Sequence, residues 1–215
     1  MRKVSKVIGY FLFGAAGVAV LAAGGWYLAM RNVEKPAYAV VERDGPIEIR
    51  DYPEMILADV VRRGDRWNAV RAGFRPLAGF IFAREREGEK ISMTAPVTQA
   101  RDGAGNENAW VISFIMPSKH TLESLPKPAG TDVRLRTVAA ARRVAIRFSG
   151  VATDALIAKN EERLRAWLQA RDLEPAGVPT YAYYDDPLTP GPLRRNEVLF
   201  DLTPTALVTG RSAES

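Results

Sequence analysis

The chain has 215 residues, 26% of them charged and 47% hydrophobic, with a formal net charge of +5 and no cysteine. These proportions are typical of a folded domain and disfavour a disordered chain. The lack of cysteine excludes disulfides, thiolate metal sites, cysteine nucleophiles and a lipid-modified cysteine anchor. Three positive charges lie in the first six residues, and without them the net charge falls to +2. So small a charge, with no dense run of lysine or arginine, argues against nucleic-acid binding.

Residues 7–30 form an uncharged apolar segment that we predict to be a membrane anchor. As a helix this segment would be somewhat longer than a bilayer core of about 30 Å, and it exceeds the apolar region of a cleavable signal peptide. Trp26 and Tyr27 near its far end suit a membrane interface. We therefore predict an uncleaved signal anchor, although the small residues 22–25 leave cleavage open.

The charges around this segment predict its orientation. Three positive charges precede it, so residues 1–6 are expected in the cytoplasm. The remaining chain, residues 31–215, is then expected on the periplasmic side of the cytoplasmic membrane, in a single-pass arrangement. Within it we predict a linker at residues 31–37, a folded domain at residues 38–203 and a flexible tail at residues 204–215.

The first half of the domain is predicted to contain five strands and one helix. A hairpin signal at Asp44-Gly45 separates the first two strands. Residues 65–83 have apolar side chains at three- and four-residue steps, which predicts an amphipathic helix, and Pro76 is expected to kink or divide it. The alternation of KISMTAPV at residues 90–97 predicts a strand with one buried face. The predicted strands are residues 38–43, 47–50, 55–61, 90–97 and 110–116.

The same pattern then begins again. A helix is predicted at residues 154–171. Strands followed by one helix and two further strands thus occur twice, at about residues 38–116 and 132–202, which indicates an internal pseudo-twofold. We predict an α+β fold with about nine strands and two helices, either a barrel or a curled sheet. The predicted strands of the second half are residues 132–138, 144–148, 180–184 and 196–202.

Six motifs resemble, in order, those of the SOUL haem-binding protein family. They are YxVV with IEIRxY at residues 38–52, KISMTAPV at 90–97, FxMP at 114–117, LPKP at 125–128, FSG at 148–150 and RRNEV at 194–198. The chain is identified as a bacterial, membrane-anchored member of that family. The resemblance implies a distorted antiparallel β-barrel flanked by two helices, built from a duplicated unit, and binding of haem or other tetrapyrroles. More distantly, the architecture is similar to the ligand-binding domains of gyrase-inhibitor-like proteins.

Haem needs a large apolar surface and cations near its propionates, and the first predicted helix offers both. The alternative is that the aromatic stripe of this helix belongs to the core and that its arginines form a solvated face. The apolar candidates are Trp67, Val70, Phe74 and Leu77, and the cationic candidates are Arg71 and Arg75, with Arg66 beside them.

The sequence defines an axial ligand less well. The family's histidine position near the start of the domain has no histidine here, and His120, the only histidine, follows Pro117 on a loop. His120 is therefore the candidate metal ligand, ahead of Met93 and Met116. Met93 also fits a core position on its strand. We favour non-covalent haem binding through apolar contacts, without a strong protein ligand.

A catalytic function has little support, since the sequence lacks the GxSxG and HExxH motifs and a phosphate-binding glycine loop. Glu197 is the candidate acid, although pairing with Arg194 or Arg195 is the simpler role. The leading interpretation is a non-enzymatic protein for haem or tetrapyrrole binding, buffering or transfer. The alternatives are a gyrase-inhibitor-like barrel that binds or hydrolyses another small apolar or cationic ligand, and a protein-interaction module without a small ligand.

Overall fold

The computed structural model describes residues 33–84, 86–103 and 108–203. These residues form nine β-strands, two α-helices and a short 3₁₀ helix. The predicted basic end, membrane anchor and tail lie outside them. Neither described helix has the length and apolarity to cross a bilayer. In chain order the elements are β1 (Ala39–Asp44), β2 (Ile47–Tyr52), β3 (Met55–Arg63), α1 (Arg66–Ile81), β4 (Val97–Arg101), β5 (Ala109–Ile115), β6 (Arg134–Val138), β7 (Ala141–Phe148), α2 (Asp154–Gln169), β8 (Pro175–Tyr183), the 3₁₀ helix (Gly191–Leu193) and β9 (Asn196–Leu202).

All nine described strands belong to one antiparallel sheet in the order β1-β2-β7-β9-β8-β4-β5-β3-β6. The edges of the sheet are β1, which among the described strands pairs only with β2, and β6, which pairs only with β3. The closed barrel is therefore wrong for the described residues, whereas the α+β class with nine strands and two helices is confirmed. β1 is exposed along its whole length and β6 is mostly exposed, so neither edge has the buried side chains that closure would require.

The sheet order has the symmetry that the predicted internal duplication would produce. β4 and β8 form the central pair. Outward from this pair run β5, β3 and β6 on one side, and β9, β7 and β2 on the other. Each half contributes one strand to the other half. β2 of the first half pairs with β7 of the second, and β6 of the second half pairs with β3 of the first. β1 is an addition at the edge beyond β2.

Helix α1 is continuous through Pro76, so of the two predicted alternatives the division is wrong, and the kink stays a prediction. Asp65 caps the amino end, since its carboxylate accepts hydrogen bonds from two backbone N–H groups of the first turn. Pro76 has no N–H for the carbonyl of Ala72, four residues earlier. The guanidinium of Arg62 donates to that carbonyl instead, at 3.3 Å, which compensates for the missing helical bond.

The predicted strand at residues 90–97 forms only at its end. Its first residues make no ladder, and β4 begins at Val97, directly after the cis peptide bond that precedes Pro96. Pro96 lacks an N–H to donate to a neighbouring strand, so the ladder starts after it. The alternation still describes burial correctly at the start of the stretch, because Ile91 is buried and Ser92 is exposed.

The two faces of the sheet differ. Both helices lie on one face, α1 over β3 and β5 and α2 over β7 and β9, and the main hydrophobic core lies beneath them. α1 approaches the sheet closely at Gly73, where an added Cβ would lie 2.9 Å from the Cβ of Ile112. The central strands β4 and β8 therefore run between the two helices. Side chains of the opposite orientation form a smaller apolar cluster, made of Tyr52, Ala145, Ala182 and Leu199.

Candidate functional site

The outer side of α1 carries an apolar stripe that is only partly buried. Trp67, Val70 and Phe74 follow each other at helical spacing. Trp67 is half-buried, and its ring centroid lies 5.6 Å from that of Tyr183. Phe74 is 41% exposed, and its ring centroid lies 5.3 Å from that of Phe114 in an edge-to-face contact. The stripe therefore anchors in the core on one side and leaves aromatic surface for a ligand on the other.

Two arginines border this stripe on its solvent side. Arg71 and Arg75 are exposed and lie about one helical turn apart beside Phe74. Leu77, the fourth apolar candidate, is completely buried in the core and offers nothing to the surface. The structure thus brings five of the six predicted helix residues together and leaves Leu77 out.

The candidate axial ligands lie outside the helix. Met93 is half-buried and packs against the main core, and Met116 is buried at the end of β5. His120 lies on the following loop, where its backbone N–H donates to the carbonyl of Pro117. The Nε2 atom of His120 is buried and has no hydrogen-bond partner among the described residues. Such a ring nitrogen suits a metal ion, although its burial means that the loop must move before a metal reaches it.

A cavity of about 610 Å³ lies at the amino end of α1, and Arg66 lines it. The guanidinium of Arg66 lies 4.1 Å from the ring centroid of Tyr181 and 5.1 Å from that of Trp110. Its Nε lies 2.9 Å from a carboxylate oxygen of Asp154, the first residue of α2, although the N–H does not point at that oxygen. Stacking and charge therefore hold Arg66 between the two helices, away from the stripe.

Two tyrosines with hydrogen-bonded hydroxyls lie near the amino ends of the helices, Tyr181 buried and Tyr183 half-buried. The hydroxyl of Tyr183 donates to the side-chain oxygen of Gln99 at 3.1 Å, and the Gln99 amide donates to the carbonyl of Arg66 at 2.9 Å. Tyr181 donates to the carboxylate of Glu161 at 2.8 Å. Burial raises the pKa of Tyr183 to about 12, and burial together with the hydrogen bond to Glu161 raises the pKa of Tyr181 to about 12. Both phenols are therefore neutral at physiological pH.

Glu197 lies in a buried ion cluster on the face of the sheet opposite the helices. Its carboxylate accepts hydrogen bonds from Arg50 at 2.8 and 3.0 Å, from Arg195 at 2.7 and 3.0 Å, and from the hydroxyl of Tyr184 at 2.9 Å. Burial opposes ionisation, but the hydrogen bonds and charges of Arg50 and Arg195 hold the pKa of Glu197 below its usual range. An ionised carboxylate with both oxygens occupied does not act as a general acid.

The predicted pairing of Glu197 with Arg194 or Arg195 is confirmed, and the partner is Arg195. Arg194 donates to backbone carbonyls of its own loop instead. Arg50, the main partner, was missed, and it lies 147 residues from Glu197 in the chain. A signal existed, since Ile47 and Ile49 of β2 point to the core and alternation then directs Arg50 to the other face. The sequence could give the orientation of Arg50 but not its partner.

A second cavity, of about 350 Å³, lies on this opposite face. Asp59 of β3 lines it and bonds to Arg136 of β6. Arg143 of β7 also lines it and donates to Asp201 of β9 at 2.6 Å. None of the residues predicted to bind a cofactor lines this cavity. It is formed by alternate residues of many strands, so only the sheet order reveals it.

Sequence comparisons find relatives over most of the described residues. A family model described as SOUL heme-binding protein matches residues 33–201. Heme-binding protein 2 of Homo sapiens is 31% identical over 144 residues, which cover 63% of this chain and 68% of that protein. Heme-binding protein 2 of Mus musculus is 29% identical over 140 residues, which cover 61% of this chain and 66% of that protein.

Solved structures share the fold at low sequence identity. The EcmrR C-terminal domain superposes with a TM-score of 0.56 at 13% identity, covering 77% of this chain and 98% of that one. A hydrolase encoded by lin2189 from Listeria innocua superposes with a TM-score of 0.53 at 13% identity, covering 76% of this chain and 94% of that one. At such identities the likeness concerns the fold alone.

Proposed function

Because the chain belongs to the SOUL heme-binding protein family, we propose that it binds haem or another tetrapyrrole without a covalent bond. The observation that carries this proposal is the partly exposed stripe of α1 with two arginines beside it. The curated relatives are named heme-binding proteins, which supports the same ligand class. The proposed role is to bind, buffer or transfer the tetrapyrrole, and this proposal includes no catalytic step.

The stripe offers the two features that a tetrapyrrole requires. A flat macrocycle packs well against apolar and aromatic side chains, and Trp67, Val70 and Phe74 lie beside one another on α1. The ring carries carboxylate groups, to which the exposed Arg71 and Arg75 can donate charge-assisted hydrogen bonds. The iron chemistry of a bound haem would belong to the cofactor.

Contact binding of this kind needs no protein ligand on the iron. His120 is the candidate ligand, and the lack of a hydrogen-bond partner for its Nε2 among the described residues supports that candidacy. The burial of the same atom opposes it, because iron would reach the nitrogen only after the loop moved. Met93 is the weaker candidate, since it packs against the core. Apolar contact is therefore the proposed mode.

The proposed location is the periplasmic side of the cytoplasmic membrane, with the domain held by the anchor predicted at residues 7–30. The long apolar run and the preceding positive charges support this arrangement. A reporter enzyme fused after Ser215 tests it. Reporter activity is expected outside the cytoplasm, and activity inside the cytoplasm would reverse the orientation.

The binding test is a titration of the full chain in detergent with hemin, followed by absorbance in the Soret region. We expect a saturable one-to-one shift. Phe74→Glu places a charge in the stripe and should weaken binding about tenfold or more. Leu188→Glu is the matched control, because Leu188 is 81% exposed on the loop between β8 and β9. Spectra no different from those of hemin with an unrelated protein would remove the proposal.

Two further variants divide the site into its parts. Reversing both charges, with Arg71→Glu and Arg75→Glu together, should weaken hemin binding, whereas Arg163→Glu on the exposed side of α2 should not. His120→Ala should leave the Soret band unchanged if binding rests on apolar contacts. A displaced band would instead assign His120 as the iron ligand.

A further inference from the structure

We propose that the cavity on the face of the sheet opposite the helices is a second ligand site. Its ligand is a small uncharged molecule with an apolar body and one O–H or N–H group, which donates a hydrogen bond to Asp59. This site is separate from the tetrapyrrole surface, since the stripe of α1 lies on the helix face. We call it the open-face cavity.

The dimensions and lining of the open-face cavity fit such a ligand. Its volume of about 350 Å³ lies at the lower end of the range for small-molecule sites. Small side chains at its centre, on β4 and β8, leave this space free, while larger apolar residues form the walls. These larger lining residues include Met55, Leu57, Val111, Ile115, Val138 and Leu199.

The register of the sheet places a polar row across the floor of this cavity. Ala182 of β8 lies opposite Thr98 of β4, Thr98 lies opposite Ser113 of β5, and Ser113 lies opposite Asp59 of β3. Residues that lie opposite one another in antiparallel strands point to the same face. The row therefore leads from small, nearly apolar side chains at the centre to a carboxylate at one end.

Asp59 is the residue whose hydrogen bonding indicates a ligand. It is only 7% exposed, and one carboxylate oxygen accepts a hydrogen bond from Arg136. The other oxygen, Oδ1, is buried and has no hydrogen-bond partner among the described residues. A buried carboxylate oxygen without a donor is costly, so it needs an explanation. Asp59 lines the open-face cavity, so a donor group on a bound ligand is the partner that we propose for this oxygen.

The charges around the open-face cavity favour an uncharged ligand. Asp59 is paired with Arg136, and Asp201 with Arg143. A cationic ligand would meet the two arginines of these pairs, and an anionic ligand would meet the two carboxylates. A neutral donor meets neither penalty, because it adds no charge to the two existing ion pairs.

The test compares naphthol with methylnaphthalene, in which a methyl group replaces the hydroxyl. Binding to the full chain in nanodiscs is measured by calorimetry, with empty nanodiscs subtracted. Naphthol should bind about tenfold to a hundredfold more tightly, because a hydrogen bond to a charged acceptor contributes about that factor. Equal affinity for the two compounds would overturn the proposal, since it would mean apolar partition only.

Two variants locate the ligand. Ala100→Leu fills the cavity from β4 and should abolish naphthol binding, whereas Ala158→Leu on the exposed side of α2 should not. Asp59→Asn should bring the naphthol and methylnaphthalene affinities about fivefold closer, because its amide oxygen still accepts a hydrogen bond but carries no charge. Its matched control is Asp51→Asn, at an aspartate that pairs with Arg142 away from the cavity. Unchanged naphthol binding in Ala100→Leu would place the ligand elsewhere.

A competition experiment separates this site from the proposed function. Naphthol affinity should be the same in the presence and absence of saturating hemin, because the two ligands occupy opposite faces of the sheet. Naphthol binding without any hemin binding would support the open-face cavity and remove the tetrapyrrole proposal alone. Displacement of naphthol by hemin would make the cavity part of the haem site and overturn a second site.

Discussion

The two helices occupy equivalent places in the duplicated fold, yet their outer sides differ. Each has 16 residues and an extended capping residue before its first turn. α2 exposes small and charged side chains such as Lys159 and Arg163, and its large apolar residues are all at least half-buried. α1 exposes Phe74 beside two arginines. One half of the molecule thus keeps its helix for packing, and the other half presents a surface suited to a ligand.

The inner sides of the helices explain how this difference arises. The first buried residues of α1 are Ala69 and Gly73, whereas those of α2 include Ile157 and Leu164. Small inner residues let α1 approach the sheet, as the Gly73 contact demonstrates. With little apolar volume on its inner side near the start, α1 holds its aromatic rings at the edge of the core. The two halves therefore share their strand order and differ in their helix interfaces.

The largest expected effect comes from a strand position at which the halves differ. The sheet register aligns Glu197 of β9, through the central strand pair, with Ser113 of β5. Glu197→Gln removes the charge that faces the buried Arg50 and should lower the free energy of unfolding by about 3 kcal/mol. Ser113→Ala, measured by the same urea denaturation, should cost about 1 kcal/mol or less.

The pH dependence sharpens this prediction. The pKa of Glu197 is lower in the folded than in the unfolded state, so its stabilisation is complete above the ordinary carboxyl pKa of about 4.3. That stabilisation is lost as the pH falls towards the folded pKa. Wild-type stability should therefore decline more steeply in acid than that of Glu197→Gln. Parallel pH profiles would mean that the cluster is not bound through the ionised carboxylate.

The second effect tests the close approach of α1. Gly73→Ala adds a Cβ 2.9 Å from Ile112 and 3.0 Å from Val60, and should destabilise the fold by about 2 kcal/mol despite the higher helix propensity of alanine. Gly79→Ala in the same helix meets no atom within 4 Å and should stabilise by up to about 1 kcal/mol. Effects of the same sign in urea denaturation would show that propensity, not packing, decides at Gly73.

The sequence predicted two similar halves, but it did not predict that the sheet formed by these halves stays open between β1 and β6. Alternation and helical spacing predicted the halves, because each strand and helix has its own apolar period. Edge exposure is a property of neighbours, so the openness of the sheet between β1 and β6 was not visible in any single strand. The prediction for Pro76 used only its position within a helix. The hydrogen bond from Arg62 to the Ala72 carbonyl depends on the tertiary structure, so the sequence did not reveal it.

For the candidate site too, the sequence predicted only those features that depend on neighbouring residues. The helical stripe followed from spacing alone, which also placed Leu77 among the surface residues, although its side chain points into the core. The ion cluster of Glu197 and the open-face cavity both join residues from distant parts of the chain. Their local signals give the direction of each side chain but not its partner, so they appear only once the strand order is known.

A third effect concerns the tyrosines beneath the helices, where the two halves meet. The folded-state pKa of Tyr183 is raised to about 12, so the stabilisation by its neutral form is complete below the unfolded pKa of about 10 and is lost as the pH rises through 12. Tyr183→Phe should therefore reduce the alkaline loss of stability by about 1–2 kcal/mol. Phenolate absorbance should also lose one late-titrating group, and an unchanged late titration would contradict the assignment.

The smallest effect compares the amino-terminal caps of the two helices. Asp65 accepts backbone hydrogen bonds from Trp67 at 3.1 Å and Asn68 at 3.0 Å, whereas Thr153 accepts one from Leu156 at 3.3 Å. Asp65→Ala should therefore lower the melting temperature by about 2–4 °C, and Thr153→Ala by about half as much.

Asp65→Asn separates the bonds of this cap from its charge. Asparagine keeps the acceptor but lacks the negative charge that interacts favourably with the helix dipole, so this variant should recover most of the melting temperature lost in Asp65→Ala. A variant no better than Asp65→Ala would assign the effect to charge. Equal falls for Asp65→Ala and Thr153→Ala would mean that the helices are held by their packing, and that the stronger cap gives α1 no compensation for its smaller inner residues.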